Sequence, residues 1–211
     1  MLIAFEGLDQ SGKETQARRL ADALRADGRR VETLSFPDYS TPIGQEIGAA
    51  LSGARDFGPD VMQLLYIANR YEKKPQILDW LSQDADVVCD RYAASSIAYG
   101  ESQGLDAAWL TDTQRNLPHP DLTIVLDIAP ETAVSRKLAD RDLYERDLAL
   151  LGRVRDSYRR QASQPGWALI SGEQPVDVIA EQIRRVVADK KSRNRETENT
   201  RRPENTRSPT D

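Results

Sequence analysis

Short apolar runs alternate with longer amphipathic stretches along most of the chain. The short runs are predicted to be strands, at LIAFE (2–6), VETLSF (31–36), DVVCD (86–90), DLTIVLD (121–127) and WALI (167–170). Their nearly continuous Val, Ile and Leu content is typical of strands that are covered on both faces.

The stretches between these strands show helical spacing. In residues 13–27 apolar side chains recur on one helical face, and Gly28 ends the pattern. Similar patterns predict helices over residues 60–83, about 92–103, 107–116, 131–139, 143–163 and 175–188. Regular alternation of strand and helix predicts an α/β fold, with a five-stranded parallel sheet flanked by helices.

The end of the chain has a different composition. From Asp189 to Asp211 there is no aliphatic or aromatic side chain, and Glu-Asn-Thr-Arg occurs at 198–201 and again at 204–207. Such a segment buries too little apolar surface to offset the entropy of ordering it. We therefore predict one domain at 1–188 and a disordered polar tail at 189–211. Acidic residues interrupt the basic ones, which argues against a nucleic-acid-binding arm.

Composition narrows the class of protein. The chain has 211 residues, enough for one domain with a sizeable core, and a net charge of −5, which is ordinary for a soluble enzyme. Its one cysteine, Cys89, excludes an intramolecular disulfide. No apolar run approaches the ~20 residues that span a membrane, and the N-terminus lacks the features of a secretory signal. We expect a cytoplasmic protein with neither a membrane nor a nucleic-acid partner.

The stretch FEGLDQSGKET (5–15) matches a phosphate-binding loop at all positions but one. Gly7, Gly12 and Lys13 stand where G-x-x-x-x-G-K-[ST] requires them, between a predicted strand and a predicted helix. Backbone N–H groups of such a loop point at a polyphosphate, and the helix N-terminus and the lysine add positive charge. The candidate ATP-binding residues are Gly7, Leu8, Asp9, Gln10, Ser11, Gly12, Lys13, Glu14 and Thr15.

Glu14 is the position that departs from the pattern. Ser or Thr normally stands here, and its hydroxyl holds Mg²⁺. A carboxylate could still hold the ion, directly or through water, because magnesium prefers oxygen ligands. Alternatively, Glu14 points into solvent and Asp9 or Asp90 anchors the metal, which we favour because a fixed anion beside a triphosphate repels it. The candidate metal ligands are therefore Asp9, Asp90 and Glu14.

The residue types after the second and third strands fit a nucleoside monophosphate as the second substrate. Arg91, just past a predicted strand end, is placed for a bidentate contact with a phosphate dianion. Tyr66 lies four residues before Arg70, so both project from one helical face and offer an aromatic surface and a donor to a flat base. Structural alternatives exist, with Tyr66 and Tyr99 as core aromatics, Arg70 on a solvated face, and Asp90 and Arg91 as an ion pair.

Several short motifs occur in a specific order. They are FPDYSTPIG (36–44), LLYIANRYE (64–72), DRYAASSIAYG (90–100), LPHPDL (117–122) and RDLYERD (141–147). Together with the phosphate-binding loop they resemble the thymidylate kinase family over nearly all of residues 1–188. The resemblance implies a three-layer P-loop kinase fold with a lid at about 138–150, and transfer of the γ-phosphate of ATP to dTMP with Mg²⁺, giving dTDP for dTTP biosynthesis. It also implies a homodimer.

The resemblance implies roles for individual residues. Tyr66 stacks on thymine, Arg70 reaches its O4 atom, and Ser95 and Ser96 serve the remaining polar edge. Tyr99 crowds the sugar 2′ position, which favours deoxyribose. The full candidate set for the acceptor is Asp9, Phe36, Pro37, Tyr39, Leu51, Tyr66, Arg70, Arg91, Ser95, Ser96, Tyr99 and Tyr144. At Tyr39 some relatives have arginine, so Arg91 carries more of the phosphate contact here.

Phosphoryl transfer needs alignment and charge stabilisation more than a covalent residue. Some family members carry an extra arginine in the loop, where this chain has Gln10. The lid offers Arg141 and Arg146 instead; Arg146 fits the family motif more closely, and both are candidates. The predicted catalytic set is Lys13, Arg91, Arg146, Arg141 and Asp9.

Two other functions are compatible with the sequence. One is a P-loop kinase that acts on another pyrimidine nucleotide. The other is a nucleotide-binding regulatory protein with impaired catalysis, which Glu14 and Gln10 motivate.

Overall fold

A parallel sheet forms the centre of the molecule. The computed structural model describes residues 1–136 and 147–201, with only the backbone described for residues 194–201. The strands are β1 (Leu2–Gly7), β2 (Val31–Ser35), β3 (Asp86–Asp90), β4 (Leu122–Asp127) and β5 (Trp167–Ser171). They lie in the order β2-β3-β1-β4-β5, and every neighbouring pair is parallel. The predicted α/β class and five-stranded parallel sheet are confirmed.

Helices cover both faces of the sheet. They are α1 (Lys13–Ala26), α2 (Pro42–Leu51), α3 (Pro59–Ser82), α4 (Ala93–Ser102), α5 (Ala107–Thr113), α6 (Pro130–Arg136), α7 (Leu148–Gln161) and α8 (Val176–Arg201). On one face, α1 and α8 share a core cluster with β1, β3 and β4. On the other face, α4 and α7 pack over β4 while α3 packs over β3. The result is the predicted three-layer arrangement.

Helix α2 was not predicted. The motif FPDYSTPIG (36–44) covers its first residues without predicting a helix, although the segment carries an ordinary helix start. The Thr41 side chain accepts a hydrogen bond from the Gly44 amide at 3.0 Å, and Pro42 stands in the first turn, where a missing N–H has little cost.

The predicted end of the last helix at residue 188 is wrong, because α8 continues to Arg201 into the segment expected to be a tail. Lysine, arginine and glutamate, which dominate this stretch, have high helix propensity. Lys191 also anchors it, since its Nζ donates to a carboxylate oxygen of Asp86 at 3.1 Å. Residues 202–211 of the predicted tail lie outside the described residues.

Candidate active site

The phosphate-binding loop joins the carboxyl end of β1 to the start of α1. Gly7 and Gly12 have φ angles of +137° and +90°, a backbone region that favours glycine. A Cβ at Gly7 would lie 2.5 Å from the Leu126 carbonyl oxygen, so a side chain there would push β1 away from β4. The glycines therefore shape a tight turn that opens onto the N-terminus of α1.

Asp9 holds two cations at the mouth of this loop. Its Oδ1 accepts from an Arg91 terminal nitrogen at 2.6 Å and from Lys13 Nζ at 3.3 Å. Burial would raise the pKa of the Asp9 carboxyl, but Arg91 and Lys13 together bring that pKa well below its usual range. Three of the predicted catalytic residues, Asp9, Lys13 and Arg91, thus lie together. Asp9 is ionised and lies between the two cations.

Arg91 is fixed by contacts on several sides. One terminal nitrogen donates to the Gly7 carbonyl at 3.1 Å and to the hydroxyls of Ser95 and Tyr158 at 3.1 and 3.3 Å. Burial opposes its charge, but Asp9, together with the nearby Tyr99, Tyr158 and Glu6, outweighs burial and raises the pKa of the guanidinium well above its ordinary value. Arg91 pairs with Asp9, and the ion pair with Asp90 that was considered from the sequence does not occur among the described residues.

Glu6 anchors this region from below and was noted in the sequence only as a strand end. It is fully buried and accepts from the Tyr92 amide at 2.8 Å, the Ser95 hydroxyl at 2.6 Å and the Tyr158 hydroxyl at 3.2 Å. These bonds tie the carboxyl end of β1 to the start of α4 and to α7, and they position the Ser95 hydroxyl beside Arg91. Glu6 and Tyr158 are 152 positions apart, so no local pattern reveals their contact.

One cavity beside Arg91 brings together the residues predicted for the acceptor. Its lining comprises Asp9, Phe36, Pro37, Tyr39, Leu51, Gln63, Tyr66, Arg70, Arg91, Ser95, Ser96 and Tyr99. Eleven of these were predicted from the sequence, and Gln63 was not. The structure places them at the carboxyl ends of the strands, where ligands of open α/β sheets bind.

Arg70 is buried rather than part of a solvated helix face, since only 2% of its surface is exposed. It donates to the Ser96 hydroxyl at 2.7 Å and to Gln114 Oε1 at 3.3 Å. Burial lowers the pKa of its guanidinium, while its Nε has no partner among the described residues. A buried cation with an unpaired donor in a cavity wall is suited to an acceptor atom of a ligand.

Asn69 holds in place the loop that follows β2. This loop forms another part of the cavity wall, through Phe36, Pro37 and Tyr39. Its Oδ1 accepts from the Asp38 amide at 2.7 Å, and its Nδ2 donates to Thr41 Oγ1 at 2.9 Å. Lys73 pairs with the Asp38 carboxylate at 2.6 Å. The hydrogen bond from Lys73 and that from Ser40 lower the pKa of Asp38 to about 2.

A second cavity continues from the first toward the phosphate-binding loop. It is lined by Asp9, Gln10, Gly12, Lys13, Glu14, Thr15, Ser35, Phe36, Pro37, Tyr39, Asp90 and Arg91. Asp9, Tyr39 and Arg91 line both cavities, so two ligands would meet at this boundary. The geometry is therefore suited to transfer of a group between two bound nucleotides.

The predicted metal ligands differ in their surroundings. Asp90 Oδ1 is buried without a hydrogen-bond partner among the described residues, and burial raises the pKa of this carboxyl. Glu14 is exposed on the first turn of α1, and an oxygen of Asp9 is already paired with two cations. No group of three or more acidic, histidine or cysteine residues forms a closed metal cage in the described chain. The unpaired oxygen of Asp90 fits a hard cation such as Mg²⁺ that also binds phosphate.

The family model for thymidylate kinase matches residues 5–183. The chain belongs to the thymidylate kinase family. It is similar to the thymidylate kinase of Arabidopsis thaliana, with 34% identity over 89% of this chain and 71% of the relative. Its identity to the human thymidylate kinase is 33% over 87% of each chain. The solved structure of thymidylate kinase from Candida albicans superposes with a TM-score of 0.77 at 30% identity, covering 90% of this chain and 92% of that one.

These matches confirm the predicted family, the kinase fold and the class of ATP-dependent nucleoside-monophosphate kinases. They do not favour the impaired regulatory protein. The helices of residues 1–136 and 147–201 are all too short or too polar to cross a membrane.

Arg136 is a further cation of this thymidylate kinase family member that sequence reasoning missed. It lies at the end of α6 and donates to the carbonyl oxygens of Gln10 at 3.1 Å and Gly172 at 3.0 Å. Its guanidinium therefore lies over the outer side of the phosphate-binding loop. A basic residue in the last turn of a short helix was the available signal.

The lid predictions lie outside the described residues. Segment 137–146 contains Arg141, Tyr144 and Arg146, so their roles stay predictions. The structure resumes at Asp147, whose side chain caps α7 by accepting from the amides of Ala149 and Leu150.

Proposed function

We propose that this chain transfers the γ-phosphoryl group of ATP to dTMP and releases dTDP and ADP. The observation that carries the proposal is the shared boundary of the two cavities, where Arg91 and Lys13 flank Asp9. One cavity offers a base-sized slot with buried Arg70, and the other opens onto a phosphate-binding loop. A reaction between the phosphates of two nucleotides requires this layout.

In the transfer, an oxygen of the dTMP phosphate attacks the γ-phosphorus, and the bond to the β–γ bridging oxygen breaks. Lys13 neutralises charge on the β and γ oxygens, and Arg91 holds the acceptor phosphate in line. Asp9 orients the two cations and offsets their mutual repulsion, because its Oδ1 accepts a hydrogen bond from each of them. The acceptor oxygen is already anionic, so no strong general base is needed.

Specificity for a pyrimidine comes from the α3 wall of the acceptor cavity. Tyr66 offers its ring to the base, and Arg70 presents donors to the O4 atom from a buried position. Tyr99 stands beside Arg91, whose guanidinium carbon is 5.4 Å from the ring centroid. Its bulk near the sugar favours deoxyribose.

Mg²⁺ is the expected ion, and Asp90 is the residue best suited to hold it. The ion would supply neutralisation of the phosphate oxygens, which lowers the barrier to transfer. Glu14, being exposed, would contribute at most through water. Asp9 is less suited, because Lys13 and Arg91 engage its Oδ1.

The lid would complete the site with Arg146 or Arg141. Replacing both with alanine is expected to lower kcat by about 10³-fold, as in other arginine-finger systems, with a much smaller change in dTMP affinity. Unchanged turnover would remove the lid arginines from the mechanism.

The chain is also expected to form a homodimer through α3. Val61, Leu64 and Leu78 lie on one stripe of this helix and are 39%, 43% and 47% exposed. A Leu64→Glu variant should elute as a monomer in size-exclusion chromatography with light scattering. A monomeric wild-type protein would contradict the dimer without affecting the phosphoryl-transfer proposal.

A coupled ADP-release assay with dTMP, dUMP, dCMP, dGMP and dAMP tests the function. We expect the highest kcat/KM with dTMP. ATP binding without ADP release for any acceptor would support the regulatory protein, and a clear preference for another nucleotide would replace dTMP as the substrate.

A further inference from the structure

Gln63 lies in the acceptor cavity and has no role in the mechanism so far. It stands on α3, three positions before Tyr66 and seven before Arg70, so the three side chains share one helical face. All three line the same cavity. Only 1% of the surface of Gln63 is exposed.

The amide of Gln63 is unpaired. Neither its Oε1 nor its Nε2 has a hydrogen-bond partner in the part of the chain that the structure describes. Buried polar atoms nearly always have partners, because leaving them unpaired is destabilising. A methionine of similar length would fill the position without this penalty. An unpaired donor and acceptor in a cavity wall indicate a ligand that supplies both missing partners.

The predicted readers of the base edge are less available than Gln63. The Ser95 hydroxyl donates to Glu6 at 2.6 Å and accepts from Arg91 at 3.1 Å. The Ser96 hydroxyl accepts from Arg70 at 2.7 Å, which leaves it one proton to donate. Neither serine offers the adjacent acceptor and donor that the amide offers.

Gly100 on α4 makes room for Gln63. A Cβ at position 100 would lie 3.2 Å from Gln63 Cγ and 2.6 Å from Leu110 Cδ1. Because Gly100 has no side chain, the stem of Gln63 lies close to the backbone of α4. The helix–helix contact therefore fixes the stem while leaving the amide at the cavity.

We propose that Gln63 reads the N3–H and O2 edge of the pyrimidine, with Oε1 accepting from N3–H and Nε2 donating to O2. The inference rests on the proposed function, and it assigns a specificity residue to the acceptor site. Thymine and uracil present a donor beside an acceptor on this edge, whereas cytosine presents two acceptors. The amide pairs with both groups of thymine but with only one of cytosine, while Arg70 separately requires an acceptor at position 4.

The test uses Gln63→Met, which keeps the length of the side chain and removes the amide. With dTMP, KM should rise about tenfold while kcat changes about twofold or less, since one neutral paired contact is lost. The preference for dTMP over dCMP should fall by about tenfold. The wild-type enzyme should lose about tenfold or more in KM with N3-methyl-dTMP, and this loss should largely disappear in Gln63→Met.

Gln103→Met is the matched control. Gln103 also has a buried Nε2 without a partner among the described residues, but it does not line the acceptor cavity. Its variant should keep the wild-type KM for each nucleotide. If Gln63→Met instead changes the KM of dTMP, dCMP and N3-methyl-dTMP by one common factor, Gln63 is only structural and the inference is overturned.

A measurement on the wild type covers the case in which Gln63→Met does not fold. The imino proton of bound dTMP should be protected from solvent exchange in NMR spectra, and the side-chain amide resonance of Gln63 should shift on binding. A rapidly exchanging imino proton with no amide shift overturns the inference. Absence of any wild-type turnover with dTMP would instead overturn the proposed function.

Discussion

Strand β3 begins and ends with an aspartate, and the two carboxylates have opposite surroundings. Asp86 is fully buried and meets Arg29 at 3.0 Å, Lys191 at 3.1 Å and the N-terminal amine at 3.4 Å. Asp90, at the other end, has one buried oxygen without a partner in the described chain, and burial raises the pKa of its carboxyl.

This difference separates stability from function along a single strand. A buried charge is tolerated when partners surround it, and it is unfavourable when they are lacking. At Asp86 the partners come from the chain itself and join α8 and the N-terminus to the sheet. At Asp90 the missing partner is expected to be the metal ion, so we expect this carboxylate to lower the stability of the free protein and to serve the proposed reaction.

The largest expected effect in this comparison is on stability, from Asp86→Ala. The change leaves the Arg29 guanidinium, Lys191 and the terminal amine without their shared anion. Removing one partner from a buried ionic cluster costs about 3–5 kcal/mol of the free energy of unfolding. Urea unfolding followed by circular dichroism measures it. If the midpoint does not move, the cluster does not contribute to stability.

Asp90→Asn should lower activity without lowering stability, which is the opposite of the effect expected from Asp86→Ala. We expect kcat to fall about 100-fold, equivalent to about 2.7 kcal/mol, with a higher Mg²⁺ concentration needed for half-maximal rate. Stability should be unchanged or higher, because the unpaired charge is removed. Unaltered kcat and Mg²⁺ dependence would show that another residue holds the ion.

The pH dependence of stability sharpens the role of Asp90. The folded state holds a proton at Asp90 more readily than the unfolded chain does, because its pKa is raised. Its contribution to stability is therefore lost as the pH rises through the raised pKa. In thermal melts, Asp90→Asn should become more stable relative to the wild type as the pH rises from the unfolded pKa of aspartate through the raised pKa of the folded protein. A difference that is constant with pH would contradict the unfavourable environment of Asp90.

A smaller effect is expected from Lys191→Met, which tests the extension of α8 beyond residue 188. The Nζ–Asp86 bond at 3.1 Å lies where Lys191 is 17% exposed, so its loss should cost about 1–2 kcal/mol. Arg29 still pairs with Asp86 in this variant. Hydrogen exchange should show faster exchange of the α8 amides after residue 188, and unchanged exchange would make the contact unimportant for the helix.

The two ends of the sheet also differ in what the sequence could predict. The arrangement at the carboxyl end could be predicted from the sequence, because motifs at strand ends place Lys13, Asp9 and Arg91 near one another in any parallel sheet. The cluster around Asp86 was not, since it joins residues from both termini and the strand between them. Helix α8 was predicted to end early for this reason, because composition does not reveal that Lys191 reaches a buried carboxylate.

The acceptor site shows the same limit on a smaller scale. Tyr66 and Arg70 were recognised because their spacing is local, and the order of the motifs supported them. Gln63 was missed although it lies on the same helical face, because a glutamine has no sequence signature for burial. Only the packing of α3 on α4 shows that its amide is enclosed and unpaired.

The smallest expected effect is on the loop after β2, which Asn69 holds in place. Lys73 and Ser40 together lower the pKa of Asp38 to about 2, so these contacts stabilise the protein fully above about pH 4, the unfolded pKa of aspartate. That contribution is lost as the pH falls toward 2. Lys73→Met should therefore cost at most about 1 kcal/mol at neutral pH, because the pair is near the surface, and the difference from wild type should become smaller in acid. Urea unfolding at pH 7 and pH 2.5 measures this, and KM for dTMP should rise slightly at pH 7, since Tyr39 in the same loop lines the cavity. A stability difference of equal size at both pH values would mean that Lys73 acts by packing and not through the Asp38 carboxylate.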